Sequence, residues 1–186
     1  FKPIKKGLVR MYTCGPTVYD YAHIGNFRSY IFDDILRRYL EYSGYKVRQV
    51  MNLTDVDDKT IANSQKEGVS LKRFTERYEK AFFEDLEALK IEKAEAYPKA
   101  TEYIDEMVKI VKGLLKKGYA YKSDDNSVYY DISKFKDYGK LARIKQKNLK
   151  AGARVSHDEY DKGHASDFAL WKAWDENDGE VFWNTE

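Results

Sequence analysis

The sequence predicts an α/β fold built on a parallel sheet, and three observations carry that prediction. Leu8-Val9-Arg10-Met11-Tyr12 is a short apolar run closed by Gly15-Pro16; proline has no amide for a strand ladder, so a strand must stop there. After Asn26, Phe27, Ile31, Ile35 and Tyr39 recur every fourth residue with Phe32, Leu36 and Leu40 beside them. That wide apolar stripe predicts a buried helix ending at a glycine cap, Gly44. Val47 to Leu53 then reads as a second strand, rich in β-branched and long apolar residues. Strand, helix, strand is a βαβ unit, whose crossover is right-handed and whose strands run parallel.

The later elements follow in order. Asp55-Val56-Asp57-Asp58-Lys59 starts a new helix, since carboxylates in a first turn complement the positive end of the helix dipole. Ser70 caps a longer helix with Leu71, Phe74, Tyr78, Phe82, Leu86 and Leu89 on its apolar face. Another begins near Pro98 and carries Ile104, Val108, Val111 and Leu115 before Gly118. These two helices are expected to pack as an antiparallel pair. Ala120-Tyr121-Lys122 and Ser127 to Ile132 flank the turn-rich tetrad Ser123-Asp124-Asp125-Asn126, which predicts a hairpin. Residues 133 to 166 are polar, lysine-rich and weakly periodic and read as an insertion. Asp167 to Lys172 returns to a strand pattern and is expected to rejoin the parent sheet. The expected domains are therefore 1–118, 119–166 and 167–186.

Composition narrows the function classes. The chain has 186 residues, 42% hydrophobic and 34% charged, the mixture of a soluble globular protein. Its 33 basic and 31 acidic residues nearly cancel, so no global polycation holds nucleic acid by charge alone. A single cysteine excludes an internal disulfide framework, and no apolar run approaches the roughly 18 residues of a membrane span. Phe1-Lys2-Pro3-Ile4-Lys5-Lys6 lacks the apolar region of a secretory signal. The expectation is a cytoplasmic chain whose two ends look like those of a fragment.

The residues with chemistry lie on the first crossing. His23-Ile24-Gly25-Asn26 opens a helix that follows a strand, where backbone amides and the dipole favour an anion and Gly25 allows close approach. His23 and Asn26 lie three residues apart on one face and could both touch phosphate oxygens; the other reading makes them capping residues. Cys14 sits where the first strand ends, the side on which parallel sheets bind ligands, and is either a ligand or a small buried hydrophobe. Asp55, Asp57 and Asp58 are open to a magnesium or a dipole reading. The basic residues at 140, 143, 145, 147, 150 and 154 are open to phosphate contact or a solvated face.

Taken together, Phe1-Lys2-Pro3, Met11-Tyr12-x-Cys14-Gly15-x-Thr17-Val18-Tyr19-Asp20, His23-Ile24-Gly25, Asn52-x-Thr54-Asp55-x-Asp57-Asp58-Lys59, Ala151-Gly152-Ala153-Arg154-Val155 and Asp167-Phe168-x-Leu170-Trp171-Lys172 resemble, in order and spacing, the N-terminal catalytic half of the cysteinyl-tRNA synthetases, a class I aminoacyl-tRNA synthetase family. The resemblance implies a Rossmann-like parallel sheet with a helical pair and a small β-containing insertion. It implies that Gly15, Thr17, His23, Gly25 and Asn26 bind ATP, with His23 and Asn26 catalytic. The signature of the class ends His-Ile-Gly-His; here Asn26 takes the last place, and asparagine donates a hydrogen bond without carrying charge. Cys14 matches a zinc ligand, and Cys14 through zinc, Gly15 and Thr54 match the pocket for the substrate cysteine. The family's other zinc ligands and its Lys-Met-Ser-Lys-Ser loop occur beyond residue 186.

The implied activity is ATP-dependent formation of cysteinyl-adenylate and transfer of cysteine to tRNA(Cys). ATP, Mg2+ and Zn2+ are the implied cofactors, L-cysteine and tRNA(Cys) the partners, with no membrane and a monomeric state. Thiolate binding to an open zinc position would separate cysteine from serine, which shape alone does only about 10 to 200-fold. The segment by itself is expected to be inactive. Two rival readings remain: a ligase that passes cysteine to an amino-sugar acceptor, of the mycothiol-synthesis type, and a non-catalytic nucleotide- or RNA-binding module of the same fold.

Overall fold

The computed structural model describes residues 1–141, 143 and 167–185. The chain divides into two compact units, Phe1–Ile104 with Glu176–Asn184, and Asp105–Asp175 with Thr185–Glu186.

In the first unit, strand β1 (Leu8–Thr13) and strand β2 (Lys46–Met51) pair in parallel from Leu8↔Lys46 to Thr13↔Met51, joined through helix α1 (Ile24–Tyr42). The predicted βαβ unit is therefore present. Gly44, with φ of 87°, closes α1: its N–H donates to the Glu41 carbonyl at 2.9 Å and that of Tyr45 to Leu40 at 3.1 Å. Only a residue that tolerates the left-handed region turns the chain there so tightly. Past β2 the segment 95–100 continues the sheet in parallel, with bridges Val50↔Ala96 and Leu53↔Lys99.

Helix α1 buries a face other than the predicted one. Phe27, Tyr30, Asp34 and Arg37 are inside, whereas Ile31, Phe32, Ile35 and Tyr39 are exposed, Phe32 to 67%. The reason is electrostatic. Arg37 reaches Glu41, Glu92 and Glu95 at 3.2, 3.3 and 3.1 Å, and donates to the Lys93 carbonyl and to Gln49. A guanidinium with this many partners tolerates burial, and it draws the 27-30-34-37 face inward.

Helix α2 (Asp58–Lys66) starts at Asp57, whose carboxylate accepts from Lys59 N–H at 2.9 Å. Helix α3 (Leu71–Ala88) starts at Ser70, whose hydroxyl accepts from Arg73 N–H. It packs against α2 and closes a core of Phe27, Tyr30, Met51, Leu53, Phe82, Leu86 and Ile91. Gln65 on α2 donates to the Asn177 carbonyl at 2.9 Å, so the segment 176–184 belongs to this unit.

The second unit contains most of helix α4 (Ile104–Lys116), expected as the antiparallel partner of α3, and a three-stranded antiparallel sheet of β3 (Ala120–Lys122), β4 (Val128–Tyr130) and β5 (Phe168–Trp171). The predicted hairpin forms as β3 and β4. The strand at 168–171 does not rejoin the parallel sheet as expected; it pairs antiparallel with β4. Asp167 pins it there, accepting from the Tyr121 hydroxyl at 3.1 Å and the Ile132 N–H at 3.0 Å, while Phe168 stacks on Tyr130 at 5.2 Å. The chain returns to the first unit only at Glu176. Ala151-Gly152-Ala153-Arg154-Val155, His157, His164 and the basic residues 145 to 154 lie outside the described residues. No helix among the described residues is long and apolar enough to cross a membrane.

Candidate functional site

The carboxyl ends of β1 and β2 hold the first cluster. Beyond the strands the chains stay joined: Thr54 N–H donates to the Pro16 carbonyl and Val18 N–H to the Thr54 carbonyl, each at 3.0 Å, around a Thr17↔Thr54 bridge. Gly15 fits only as glycine, since a Cβ would fall 1.8 Å from the Asn52 carbonyl oxygen. This close approach is what lets the Cys14-Gly15 turn lie against the end of β2. Cys14 is exposed, with its thiol 3.7 Å from the Gly15 carbonyl. It is not the buried hydrophobe of the blander reading. Cys14, Gly15, Thr17 and Thr54 are thus gathered on one sheet edge.

His23 is the cap residue of α1 and is exposed. Its Nδ1 accepts from Gly25 N–H at 3.1 Å, and Asn26 Oδ1 accepts from His23 N–H at 3.0 Å. Asn26 N–H is taken by the His23 carbonyl at 2.9 Å. The amides expected to hold an anion are therefore largely satisfied within the turn. Because Nδ1 accepts, the proton of the neutral imidazole is on Nε2, and Nε2–H and Asn26 Nδ2–H are the side-chain donors left for a ligand.

The three aspartates separate. Asp55 is buried and accepts from Thr101 N–H and hydroxyl at 3.0 and 2.6 Å, Asp57 caps α2, and Asp58 lies in its first turn. Lys59 lies over the Tyr19 ring at 4.7 Å and so ties α2 to the loop between Cys14 and His23. Burial pushes the Tyr30 hydroxyl up to about 12, and the charges of Cys14 and Asp33 add to the shift. No group of three His, Cys, Asp or Glu side chains with metal-binding geometry occurs among the described residues. Cys14 supplies one soft donor and not a zinc site.

One residue of the quoted motifs has a role that the sequence alone does not assign. Asn52 touches both strand ends, and its signal is an amide standing between the apolar Met51 and Leu53. A separate groove of about 530 Å3 lies between α1 and α3, lined by Ala22, Ile24, Phe27, Ile31 and Leu89 among others. It is mostly apolar, with Arg28 and Asp85 also in its lining, and does not include the candidate site residues named above.

Two parallel strands joined through a helix, with the candidate residues at their carboxyl ends beside the helix start, define an α/β protein, and comparison specifies which. The chain belongs to the family described as tRNA synthetases class I (C) catalytic domain, whose model matches residues 1–186. It is 57% identical over 187 residues to a cysteine–tRNA ligase of Brachyspira hyodysenteriae, covering 100% of this chain and 39% of that protein. It is 53% identical over 187 residues to a cysteine–tRNA ligase of Protochlamydia amoebophila, covering 99% and 39%. The chain therefore spans about two fifths of the length of these curated relatives. Among solved structures, methionyl-tRNA synthetase of Mycobacterium tuberculosis in complex with methionyl-adenylate aligns with a TM-score of 0.58 at 19% identity, over 68% of this chain and 25% of that one. That likeness extends to the fold, the α/β architecture of class I synthetases.

Proposed function

We propose that the protein containing this chain activates L-cysteine with ATP and transfers it to tRNA(Cys), acting as a cytoplasmic monomer. The observation that carries this reading is 57% identity along the entire chain to a cysteine–tRNA ligase. Membership of class I implies use of ATP and Mg2+. In the first step a carboxylate oxygen of cysteine attacks the α-phosphorus of ATP, the bond to the bridging oxygen breaks, and pyrophosphate leaves. In the second, a terminal ribose hydroxyl of the tRNA attacks the carbonyl carbon, loses its proton, and AMP departs.

The residues of this chain would act by position and charge. His23 Nε2–H and Asn26 Nδ2–H donate to phosphate oxygens as charge spreads over them, a term of about 3 kcal/mol for a well-placed donor. Gly15 and Thr17 shape the turn the nucleotide lies against, and Gly25 keeps the first turn of α1 open to it. Gly15 and Thr54 bound the amino-acid side of the cleft. Cys14 is proposed as one ligand of a zinc whose other ligands lie outside the described residues.

The test is exchange of labelled pyrophosphate into ATP by the intact protein. Exchange that requires L-cysteine supports the reading. Absence of exchange points to the non-catalytic module, and exchange without subsequent charging of tRNA points to the amino-sugar ligase.

A further inference from the structure

Asn52 stands just past β2, half-buried, and its side chain makes three bonds, all to the two strand ends. Oδ1 accepts from Gly15 N–H at 3.1 Å and from the Tyr12 hydroxyl at 2.9 Å, while Nδ2 donates to Thr54 Oγ1 at 3.2 Å. A backbone N–H can only donate, so the atom facing Gly15 is the oxygen, and the orientation of the amide follows. Nδ2 then faces Thr54, and the Thr54 hydroxyl is the acceptor in that bond. The backbone of Thr54 is held on both sides, to Pro16 and Val18. Its hydroxyl proton has no acceptor among the described residues.

We propose that Asn52 is a positioning residue that holds Thr54 as a hydrogen-bond donor toward an anionic oxygen of the bound substrate, on the reading of the site given above. A threonine hydroxyl by itself donates or accepts with equal ease. With one lone pair occupied by an amide N–H, its proton is directed elsewhere, and in a site that takes a carboxylate and a triphosphate the matching group is an oxyanion. Two oxyanions are available, the amino-acid carboxylate and a phosphate of the nucleotide, and the experiment separates them.

The measurement is equilibrium binding of L-cysteine and, separately, of ATP to the intact protein by calorimetry, for the wild type, N52A, T54V, the N52A/T54V double variant, N52D and T54S. N52A and T54V should each weaken one ligand about tenfold, and the double variant should lose little more than T54V alone, because Asn52 acts through that hydroxyl. T54S, which restores the hydroxyl, should recover most of the T54V loss. If N52A does not fold, N52D answers the same question: its carboxylate keeps the Gly15 and Tyr12 bonds but accepts from Thr54, so it should weaken the same ligand at least as much as T54V. Loss confined to cysteine identifies the carboxylate, and loss confined to ATP a phosphate. Wild-type affinities in both Asn52 variants, or losses that multiply to about a hundredfold in the double variant, overturn the proposal. A wild-type protein that binds neither ligand overturns the functional reading itself, a separate outcome.

Discussion

Gly15 and His23 carry the sharpest consequences of single atoms. A methyl group at Gly15 would meet the Asn52 carbonyl at 1.8 Å and Met51 Cγ at 2.9 Å. The first of these is backbone held between the paired strands and the Thr17↔Thr54 bridge and has no rotamer to yield. G15A should therefore destabilise the protein by about 3 kcal/mol, the upper end of overpacking penalties, read from the denaturant midpoint; a change under about 0.5 kcal/mol would show that the strands separate easily. His23 combines two roles that one substitution confounds. H23A should lose about 1 kcal/mol of stability with the cap and about a hundredfold in adenylate formation with the donor. H23N keeps a good cap, so it should regain the stability and not the rate; recovery of both would confine His23 to capping. Cys14, His23, Gly25 and Asn26 stand out in the sequence because each is unusual in a strand-to-helix pattern, whereas Gly15, Thr17 and Thr54 enter as candidate site residues through the family resemblance. Asn52 stands in one of the motif blocks, but its bonds follow no pattern there. Its partners lie 37 and 40 residues away, Gly15 and Tyr12, and only the register of two parallel strands brings them to its amide.

Helix α1 shows at the scale of an element what periodicity can and cannot decide. The 3.6-residue pattern located the helix and its glycine terminus, but the residues are apolar on one broad face and chemically mixed on the other, and the mixed face is the one buried. A hydropathy pattern counts Arg37 and Asp34 as outward residues. It has no means of counting Glu92 and Glu95, which arrive from a segment more than fifty residues on. Glu95 accepts from Arg37 through one oxygen and from Gln49 N–H through the other, and Gln49 passes the contact to Thr13 at the end of β1. Burial pushes the Glu95 carboxyl up, but the Gln49 N–H and the Arg37 and Arg48 charges outweigh it and hold it below the usual carboxylate range. A lowered folded-state value means that this stabilisation is complete above the unfolded value of about 4.5 and is lost as pH falls through the folded value. E95Q should cost about 1 kcal/mol at pH 7, a figure already reduced for a side chain that is 36% exposed. The gap between wild type and E95Q should close in thermal unfolding as the pH falls below about 4.5. A gap independent of pH would assign the cost to lost packing.

For the whole molecule the question is which candidate site residues each unit carries. The parallel sheet edge and the start of α1 come from the first unit, and the hairpin sheet with β5 forms the second. The return strand was misassigned because an apolar strand pattern states that a segment pairs and not with whom; Asp167, which fixes the partner, is a polar residue at its edge. The thiol of Cys14 is in the same position as such a strand, a competent donor whose partners the local sequence does not name. A protein zinc site needs at least three ligands, and among the described residues no group of three His, Cys, Asp or Glu side chains could hold the metal. The segment 1–186 prepared alone should therefore bind zinc no more tightly than an exposed thiol does, and a chelator should leave its unfolding midpoint unchanged. The intact protein should retain about one zinc per chain through gel filtration, and C14S should reduce that content well below half while leaving ATP binding in place. Stoichiometric zinc in C14S, measured by atomic emission on the filtered protein, would remove Cys14 from the ligand set. Stoichiometric zinc in the 1–186 segment would instead place the whole site within this chain, with residues 144–166 as the source of its remaining ligands.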